Sequence, residues 1–302
     1  MKRRSDLPAY LAMRAALAAA AVLPRPLALR SGAAVGRAAR ALGLRRAVTD
    51  ANLALAFPEL SDDARDALAR AVYDHFGRMA VDSLRLSAKG PSAIVPHVSG
   101  GECVRLIEER LPRGKGVIVL TGHIGNWELG GAYVASCGYR LAAVVKPPSN
   151  PYVARHAEGV RRRLGIETIP MPEARSGVAA ALAANRVVAL VADQGAIRST
   201  TWVPFFGRPT RTPAGPGLFA SLTGAPVLFG ALVAQPGGAG AYRLEGEVLV
   251  EEETDEPGAA IPRIAELFRA RLEAMVRRFP DQYLWTHRLW KEQPPAPAPA
   301  AR

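Results

Sequence analysis

The chain has 302 residues, of which 49% are hydrophobic and 22% charged, so it can build one large domain and is too apolar to be disordered. Its two cysteines, Cys103 and Cys137, are too few for a disulfide framework and lack metal-ligand spacing; we interpret both as small buried residues, with one disulfide as the alternative. The net charge of +12 favours anionic partners: acidic lipid headgroups, an acidic protein or nucleic acid.

The N-terminal segment, residues 1–46, combines positive charge with apolar residues. It holds ten Lys/Arg and one acidic residue, Asp6, in a stretch rich in Ala and Leu, which favours a membrane surface over DNA. The uninterrupted apolar piece, Ala15 to Pro24, is shorter than the roughly 20 residues that a spanning helix needs. We predict an uncleaved, membrane-associating segment on the cytoplasmic leaflet; a cleaved signal peptide and a solvated basic helix are the alternatives.

Two helical stretches are predicted before residue 90. Residues 9–46 are expected to be helical with a break around Pro24 and Pro26. Ser61 is a suitable N-terminal cap for a second helix, which runs to about Leu86 with apolar residues at near-helical spacing.

Strands and helices alternate after that point. The predicted strands cover residues 116–121, 141–146, 167–171, 186–192, 225–234 and 241–250. The predicted helices cover residues 126–137, 151–164, 173–184, 214–223 and 258–278, and an irregular loop covers 195–213. This order predicts an α/β fold in which helices flank a mixed, largely buried sheet. We assign residues 47–291 to one domain and residues 292–302 to a Pro/Ala-rich disordered tail.

One candidate catalytic pair follows the first apolar strand. His123 lies in a Gly-rich turn at the strand end, where ligand crevices form in α/β sheets. Glu128 is five residues further on, and on one continuous helix the two side chains would point about 140° apart. If His123 precedes the helix and Glu128 lies in its first turns, the carboxylate can hold the imidazole in one tautomer. His123 could then act as a general base on a hydroxyl.

Two other interpretations of His123 compete with this one. The first is a hydrogen-bonded structural histidine, which the neighbouring glycines, the strand end and the partner Glu128 make less favoured. The second is a metal ligand, which is weaker because no second histidine lies nearby and neither an HExxH motif nor a cysteine cluster occurs. No metal and no bound cofactor are predicted.

The chain resembles the bacterial lipid A biosynthesis acyltransferases of the lauroyl/myristoyl type, within the lysophospholipid acyltransferase superfamily. The H-x4-E pattern from His123 to Glu128 is a weak match alone, and further blocks in the same order strengthen it. These blocks are VVKPPSNP at 144–151, VADQ at 191–194, VPFFG at 203–207 and QYLWTHR at 282–288. The resemblance covers roughly residues 10–291.

The resemblance implies transfer of a fatty acyl chain from an acyl carrier protein or coenzyme A thioester to a hydroxyl of a glycolipid precursor. It implies His123 as the base, Glu128 as its partner, and a site that faces the cytoplasmic leaflet of the bacterial inner membrane. One departure concerns Lys146, which stands where many members have arginine. Lysine lacks the bidentate fork that binds phosphate, so this departure bears on the acceptor headgroup more than on the reaction.

Eight further residues are predicted to bind substrate: Asn126, Lys146, Asn150, Asp193, Gln194, Arg208, Arg211 and Arg288. Lys146 suits a phosphate or an oxyanion, with a solvated lysine as the alternative. Asp193 is expected to orient a cation such as Lys146 or Arg211, or to cap a turn. Arg208 and Arg211 flank two phenylalanines in a loop that we expect to touch lipid, unless the rings only pack.

A basic helix face and a closing segment complete the predictions. The face, with Arg155 and residues 161–163, could bind an acidic carrier protein or an anionic membrane, or simply be solvated. Trp285 is expected either in a segment that closes over the site or in the core.

The leading hypothesis is therefore an acyltransferase at the membrane surface that uses a lipid A-type acceptor. Its rivals are the same chemistry on a lysophospholipid, an aminolipid or another glycolipid; a non-catalytic membrane scaffold; and a nucleic-acid binder, which the 6% aromatic content and the lack of a recognition motif disfavour.

Overall fold

The computed structural model describes residues 6–195, 199–235 and 241–292. Eleven α-helices are assigned within these ranges. They are α1 (Asp6–Val22), α2 (Arg25–Ala41), α3 (Arg46–Ala56), α4 (Asp62–Lys89), α5 (Pro91–Ile94), α6 (Glu102–Arg110), α7 (Trp127–Ser136), α8 (Pro151–Arg163), α9 (Ala174–Ala183), α10 (Gly215–Thr223) and α11 (Pro257–Arg278). Most of the predicted disordered tail, 292–302, lies outside the described residues.

Nine strands are assigned in the same ranges. They are β1 (Val98–Gly101), β2 (Val117–Thr121), β3 (Leu141–Val145), β4 (Ile166–Pro170), β5 (Val187–Val191), β6 (Thr200–Phe205), β7 (Arg208–Pro213), β8 (Val227–Ala234) and β9 (Tyr242–Val250). Seven form one sheet in the order β1-β9-β8-β2-β5-β3-β4, in which only the β8–β9 pair is antiparallel. The predicted mixed sheet flanked by helices is confirmed.

Helices cover both faces of the central strands. Successive side chains of a strand point to opposite faces, so each strand contributes to two cores. Ile118 and Leu120 of β2 join a core that includes apolar residues of α9 and α11, and Val117 and Val119 join a second core with α6 and α7. This explains why β2 reads as a continuous apolar run in the sequence. It also leaves the strand ends as the places where polar side chains can gather.

The N-terminal segment forms two helices with the predicted break at Pro24. Helix α2 packs closely on α4 through glycines: a Cβ on Gly36 would lie 2.0 Å from the carbonyl oxygen of Tyr73, and one on Gly77 would lie 2.1 Å from that of Gly32. Helix α1 contacts α8, where Tyr10 stacks on Tyr152 with ring centroids 5.7 Å apart. Residues 25–41 are thus packed on the rest of the domain, because only glycines allow this approach.

Exposed apolar side chains are concentrated in the N-terminal helices and the turn after them. Of thirteen large apolar side chains that are exposed among the described residues, eight lie between Leu7 and Leu44. Across residues 6–195, 199–235 and 241–292, no helix is both long enough and apolar enough to cross a bilayer. The membrane association of residues 1–46 therefore stays a prediction.

Several regions depart from the sequence expectations. The stretch 195–213, expected to be irregular, holds the antiparallel hairpin β6–β7; residues 196–198 lie outside the description. Strand β1 and helix α6 were not predicted. Cys103 is buried as expected, whereas Cys137 is exposed at the end of α7, and both thiols are free, which excludes the disulfide.

Candidate active site

His123 and Asp193 follow two strands that lie side by side in the sheet. His123 comes two residues after β2 and Asp193 two residues after β5, and the parallel register pairs Thr121 with Val191 at the carboxyl ends. Carboxyl ends of parallel strands meet at one edge of a sheet, where ligand crevices form. Asp193 therefore lies at the same edge of the sheet as His123.

The two residues make a double contact. Nδ1 of His123 lies 2.7 Å from Oδ1 of Asp193, and the backbone N–H of His123 donates to Oδ2 of Asp193 at 3.0 Å. Because a carboxylate only accepts, Nδ1 carries the hydrogen and the lone pair of the neutral ring lies on Nε2. This is the tautomer that a general base at Nε2 requires.

Burial and mutual attraction act against each other in this pair. Burial works against the charged imidazole, but the charge and hydrogen bond of Asp193, and to a smaller extent the charge of Glu128, leave the pKa of His123 raised. Burial also works against the ionised Asp193, but His123 and then Arg269 leave the pKa of Asp193 lowered. The result is an ionised carboxylate, 1% exposed, behind an imidazole that is 22% exposed.

Arg269 of α11 supports Asp193 from inside the protein. This guanidinium is fully buried; Nη2 donates to the backbone oxygen of Asp193 at 2.8 Å and to that of Arg211 at 3.1 Å, and Nε donates to Oγ1 of Thr212 at 2.8 Å. It therefore ties the end of β5 to the hairpin strand β7. A buried cation that is hydrogen-bonded on several sides holds its neighbours in fixed positions.

A C-terminal segment holds the His123 loop from the other side. Leu284 donates its N–H to the backbone oxygen of His123 at 3.0 Å, and Gly125 donates to that of Gln282 at 2.9 Å. Gly125 has φ +59°, and a Cβ there would meet the carbonyl oxygen of Leu232 at 2.0 Å, so only glycine fits. The ring of Trp285 is fully buried, which favours the core alternative for this residue.

Glu128 has a different partner from the one expected. It lies in the first turn of α7, as predicted, but its Oε1 accepts from Nη2 of Arg161 at 2.8 Å. The residue hydrogen-bonded to the His123 imidazole is Asp193, and Glu128 acts on that ring through its charge. Asp193, in turn, holds His123 and not Lys146 or Arg211. The physical reason is that α7 carries Glu128 towards α8, whereas β5 ends next to β2.

Two predicted substrate-binding asparagines are helix caps. Asn126 is fully buried, and its Oδ1 accepts from the N–H of Leu129 at 3.2 Å at the start of α7. Asn150 caps α8 by accepting from the N–H of Tyr152 at 2.9 Å, and its Nδ2 donates to the backbone oxygen of Asp6 at 2.8 Å. The structure thus gives both side chains capping roles, and their contacts with substrate stay predictions.

Three other predicted binding residues have side chains that reach solvent. Lys146 is exposed directly after β3, the strand next to β5, so it shares the sheet edge with His123 and Asp193. Gln194 follows Asp193 and is half-buried, and Arg288 is exposed in the C-terminal segment. Their part in substrate binding stays a prediction.

Arg208 and Arg211 belong to the hairpin β6–β7. Phe206 and Gly207 form its turn with φ +53° and +69°, as two-residue hairpin turns require, and the Phe206 ring is buried against Phe57 and Trp285. The described contacts therefore support ring packing, which was the alternative to lipid contact.

The two arginines of the hairpin point to different surroundings. Arg211 pairs with Glu292. Arg208 is exposed and lines a groove of about 550 Å³ with Leu55, Pro58 and Arg277, and neither His123 nor Asp193 lines that groove. Their roles with substrate stay predictions.

Sequence reasoning missed two parts of the site, and each left a signal. Asp193 was proposed as a binding residue but not as the partner of His123; the signal was that each follows a buried strand. Arg269 was not singled out at all, although it interrupts the apolar face of α11 between Ala265 and Leu272, which are both buried. An arginine on the core side of a helix indicates a buried polar partner.

The fold and the site define an α/β protein with a histidine–aspartate pair at the carboxyl edge of a mostly parallel sheet. The model of the family described as "Bacterial lipid A biosynthesis acyltransferase" matches residues 1–292, so the chain belongs to that family. The resemblance found in the sequence motifs is confirmed.

Individual relatives point to two kinds of glycolipid. The chain is 28% identical over 278 residues to a lipid A biosynthesis palmitoleoyltransferase of Escherichia coli, which covers 90% of this chain and 87% of the relative. It is 29% identical over 183 residues to a phosphatidylinositol mannoside acyltransferase of Mycolicibacterium smegmatis and over 126 residues to one of Mycobacterium tuberculosis. The chain spans 58% and 40% of the lengths of those two mycobacterial relatives.

Proposed function

We propose that this protein transfers a fatty acyl chain from a thioester to a hydroxyl of a lipid A-type glycolipid precursor. The observation that carries the proposal is the 2.7 Å contact between Nδ1 of His123 and Oδ1 of Asp193 in a chain of this family. A buried carboxylate that fixes the tautomer of a part-exposed imidazole is the arrangement that activates a hydroxyl.

The reaction follows from the protonation of this pair. Nε2 of His123 takes the proton of the acceptor hydroxyl while the oxygen attacks the thioester carbonyl. The carbon–sulfur bond of the tetrahedral intermediate then breaks, and the thiolate leaves with the proton that His123 carried. Asp193 stays ionised throughout and stabilises the imidazolium, which the raised pKa of His123 and the lowered pKa of Asp193 favour.

Glu128 and Lys146 have secondary parts in this proposal. Glu128 adds negative charge near the imidazolium, and its ion pair with Arg161 connects the site to α8. Lys146, exposed at the same sheet edge, supplies a cation for a phosphate of the acceptor or for the oxyanion. Gln194 and Arg288 remain candidate contacts for the acceptor headgroup.

The donor is an acyl carrier protein or a coenzyme A thioester. Helix α8 presents Arg155, Arg162 and Arg163 as exposed side chains, which suits an acidic carrier protein or an anionic membrane. We place the protein at the cytoplasmic face of the bacterial inner membrane. The exposed apolar side chains between Leu7 and Leu44, with the arginines among them, support contact with that surface.

The primary test is acyl transfer by the purified protein and by His123→Ala. The acceptor would be a lipid A precursor that retains free hydroxyls, and the donors an acyl carrier protein thioester and a coenzyme A thioester. We expect His123→Ala to lose at least about 10³-fold in rate while it melts like the wild type, because no other described group takes the proton at that position. Unchanged transfer by a folded His123→Ala protein would refute the proposal.

A second candidate acceptor is a mannosylated phosphatidylinositol, which the 29% identity to the Mycolicibacterium smegmatis enzyme favours. Mass spectrometry of lipids from strains with and without the gene separates the two acceptors. Loss of an acyl chain from lipid A supports the first, and loss from a mannosylated phospholipid supports the second. The 90% coverage by the Escherichia coli relative is why lipid A is preferred.

A further inference from the structure

A chain of buried and part-buried polar groups runs from the N-terminal helices to the His123 loop. Arg25, at the start of α2, donates through Nε and Nη2 to the two carboxylate oxygens of Asp82 at 2.8 and 2.6 Å. The Tyr242 hydroxyl donates to Oδ2 of Asp82 at 2.7 Å, and Nδ2 of Asn126 donates to that hydroxyl oxygen at 3.3 Å. Four side chains from α2, α4, β9 and the start of α7 are thereby connected.

Helix α4 contributes three polar side chains near this part of the loop, two of which contact it directly. His75, Asp82 and Ser83 are seven and eight residues apart, so they lie on one face of the helix. Oγ of Ser83 donates to Oδ1 of Asn126 at 2.9 Å, and Nε2 of His75 lies 3.5 Å from the carbonyl oxygen of Gly125. The same helix face therefore holds two consecutive residues, Gly125 and Asn126.

Asn126 is the point where the polar chain meets the active site. Its Oδ1 caps α7 through Leu129, and the next residue, Trp127, places its ring 4.8 Å from that of His123. The backbone N–H of Asn126 is also fixed, by the carbonyl oxygen of Leu232 at 2.7 Å. A shift of the Asn126 side chain would therefore move the start of α7 and the ring that packs on His123.

Burying these polar groups costs more free energy than apolar side chains in the same positions would. Asp82 is fully buried, and removing a charge from water costs several kcal/mol unless partners compensate. Burial, and then Asp82, raise the pKa of Tyr242 well above its ordinary value, so the phenol keeps its proton and donates. Buried polar groups that are fully partnered specify one geometry, which an apolar core does less strictly.

We propose that Arg25, Asp82 and Tyr242 are positioning residues that fix Asn126, and through it the orientation of Trp127 and His123. This inference rests on the proposed function for its kinetic consequence. It also connects the N-terminal helices to the reaction, because Arg25 at the start of α2 holds the carboxylate from which the chain of contacts runs.

The test compares two tyrosine-to-phenylalanine variants. Tyr242→Phe removes the hydroxyl that joins Asp82 to Asn126. Tyr73→Phe is the matched control: Tyr73 is also buried, lies on α4, and donates its hydroxyl to the backbone oxygen of Leu44, with no contact to Asn126. Tyr242→Phe should lose more stability than Tyr73→Phe, because its hydroxyl is a partner of the buried Asp82 carboxylate, so both variants are compared at a temperature where they stay folded. We expect Tyr242→Phe to lower kcat about tenfold with KM for both substrates unchanged, and Tyr73→Phe to keep kcat within about twofold.

A second measurement does not depend on the reaction. The Leu129 amide, which donates to Asn126, should exchange its hydrogen at least about tenfold faster in Tyr242→Phe than in Tyr73→Phe. If wild type transfers acyl chains but both variants match it in kcat and in Leu129 exchange, the positioning role is refuted and the proposed function stands. If the wild type transfers nothing, the proposed function fails, and Leu129 exchange alone decides the positioning role.

Discussion

The His123 imidazole has one carboxylate on its buried, inner side and another on its solvent-facing, outer side. The two carboxylates differ in exposure and in partner. On the inner side, Asp193 is 1% exposed, and Arg269 behind it is fully buried. On the outer side, Glu128 is 42% exposed and pairs with Arg161. Charges interact more strongly where water is excluded, so the inner carboxylate controls the imidazole although both are acidic residues near it.

The largest effect should follow from Asp193→Asn. An asparagine has one oxygen, and if that oxygen accepts from the His123 N–H, its amide group faces Nδ1 and drives the proton to Nε2. We expect the rate of acyl transfer to fall about 10²- to 10⁴-fold, as for a base held in the wrong tautomer.

The pH profile of the same variant tests the cause. Because Asp193 raises the pKa of His123 and the base must be neutral, wild-type activity should rise with pH through a value above 6.5, and through a lower value in the variant. Glu253→Gln is the matched control, since Glu253 is a buried carboxylate that pairs with Arg263 and not with His123. If the pH profile of Asp193→Asn matched that of the wild type, Asp193 would not be the carboxylate that controls the pKa of His123.

A smaller effect should appear in stability at His75, a buried histidine of α4. Burial lowers the pKa of His75 to about 4, so the unfolded chain binds the proton first as pH falls. The contribution of His75 is fully present above pH 6.5 and is lost as pH falls towards 4. Between pH 7 and pH 5 we expect the free energy of unfolding to drop by about 2 kcal/mol from this residue.

Urea unfolding of His75→Gln checks this expectation. The substituted glutamine would keep a donor for the Gly125 oxygen but cannot titrate, so the drop between pH 7 and pH 5 should shrink by about that amount. The pKa of His156 on α8 is also lowered, by partial burial and by Arg14 and Arg163, so His156→Gln should remove a smaller part of the drop than His75→Gln does. Equal pH dependence in the wild type and His75→Gln would contradict the assignment.

The smallest effect is expected on the outer side, from Glu128→Gln. Its charge reaches the imidazole in a part-exposed setting, so the rate should fall only about three- to tenfold, with a small downward shift of the pH profile. Arg161→Gln, which frees Glu128 from its partner, should leave the profile near that of the wild type. A loss with Glu128→Gln as large as with Asp193→Asn would show that Glu128 leaves Arg161 and joins His123 when substrate binds.

The sequence alone predicts where the helices and strands lie along the chain better than it predicts which of them pack side by side. Apolar runs predict β2 and β5, and the glycines around His123 predict the turn. That β5 lies next to β2 depends on a crossover that carries no local signal, so Asp193 was found without its partner and Glu128 was given its role. The hairpin β6–β7 was missed because Pro204 and Pro209, which face each other in it, argue against strands.

The contact between α2 and α4 has a consequence for how the N-terminal region tolerates change. Backbone oxygens occupy the space where side chains of residues 32, 36 and 77 would begin, so even alanine would force the two helices apart. The protein should therefore tolerate deletions from its N-terminus up to about Pro24 and lose much of its stability when the deletion goes further. Before that point a deletion removes α1, and beyond it a deletion also removes Arg25 and uncovers the surface of α4 around Gly77.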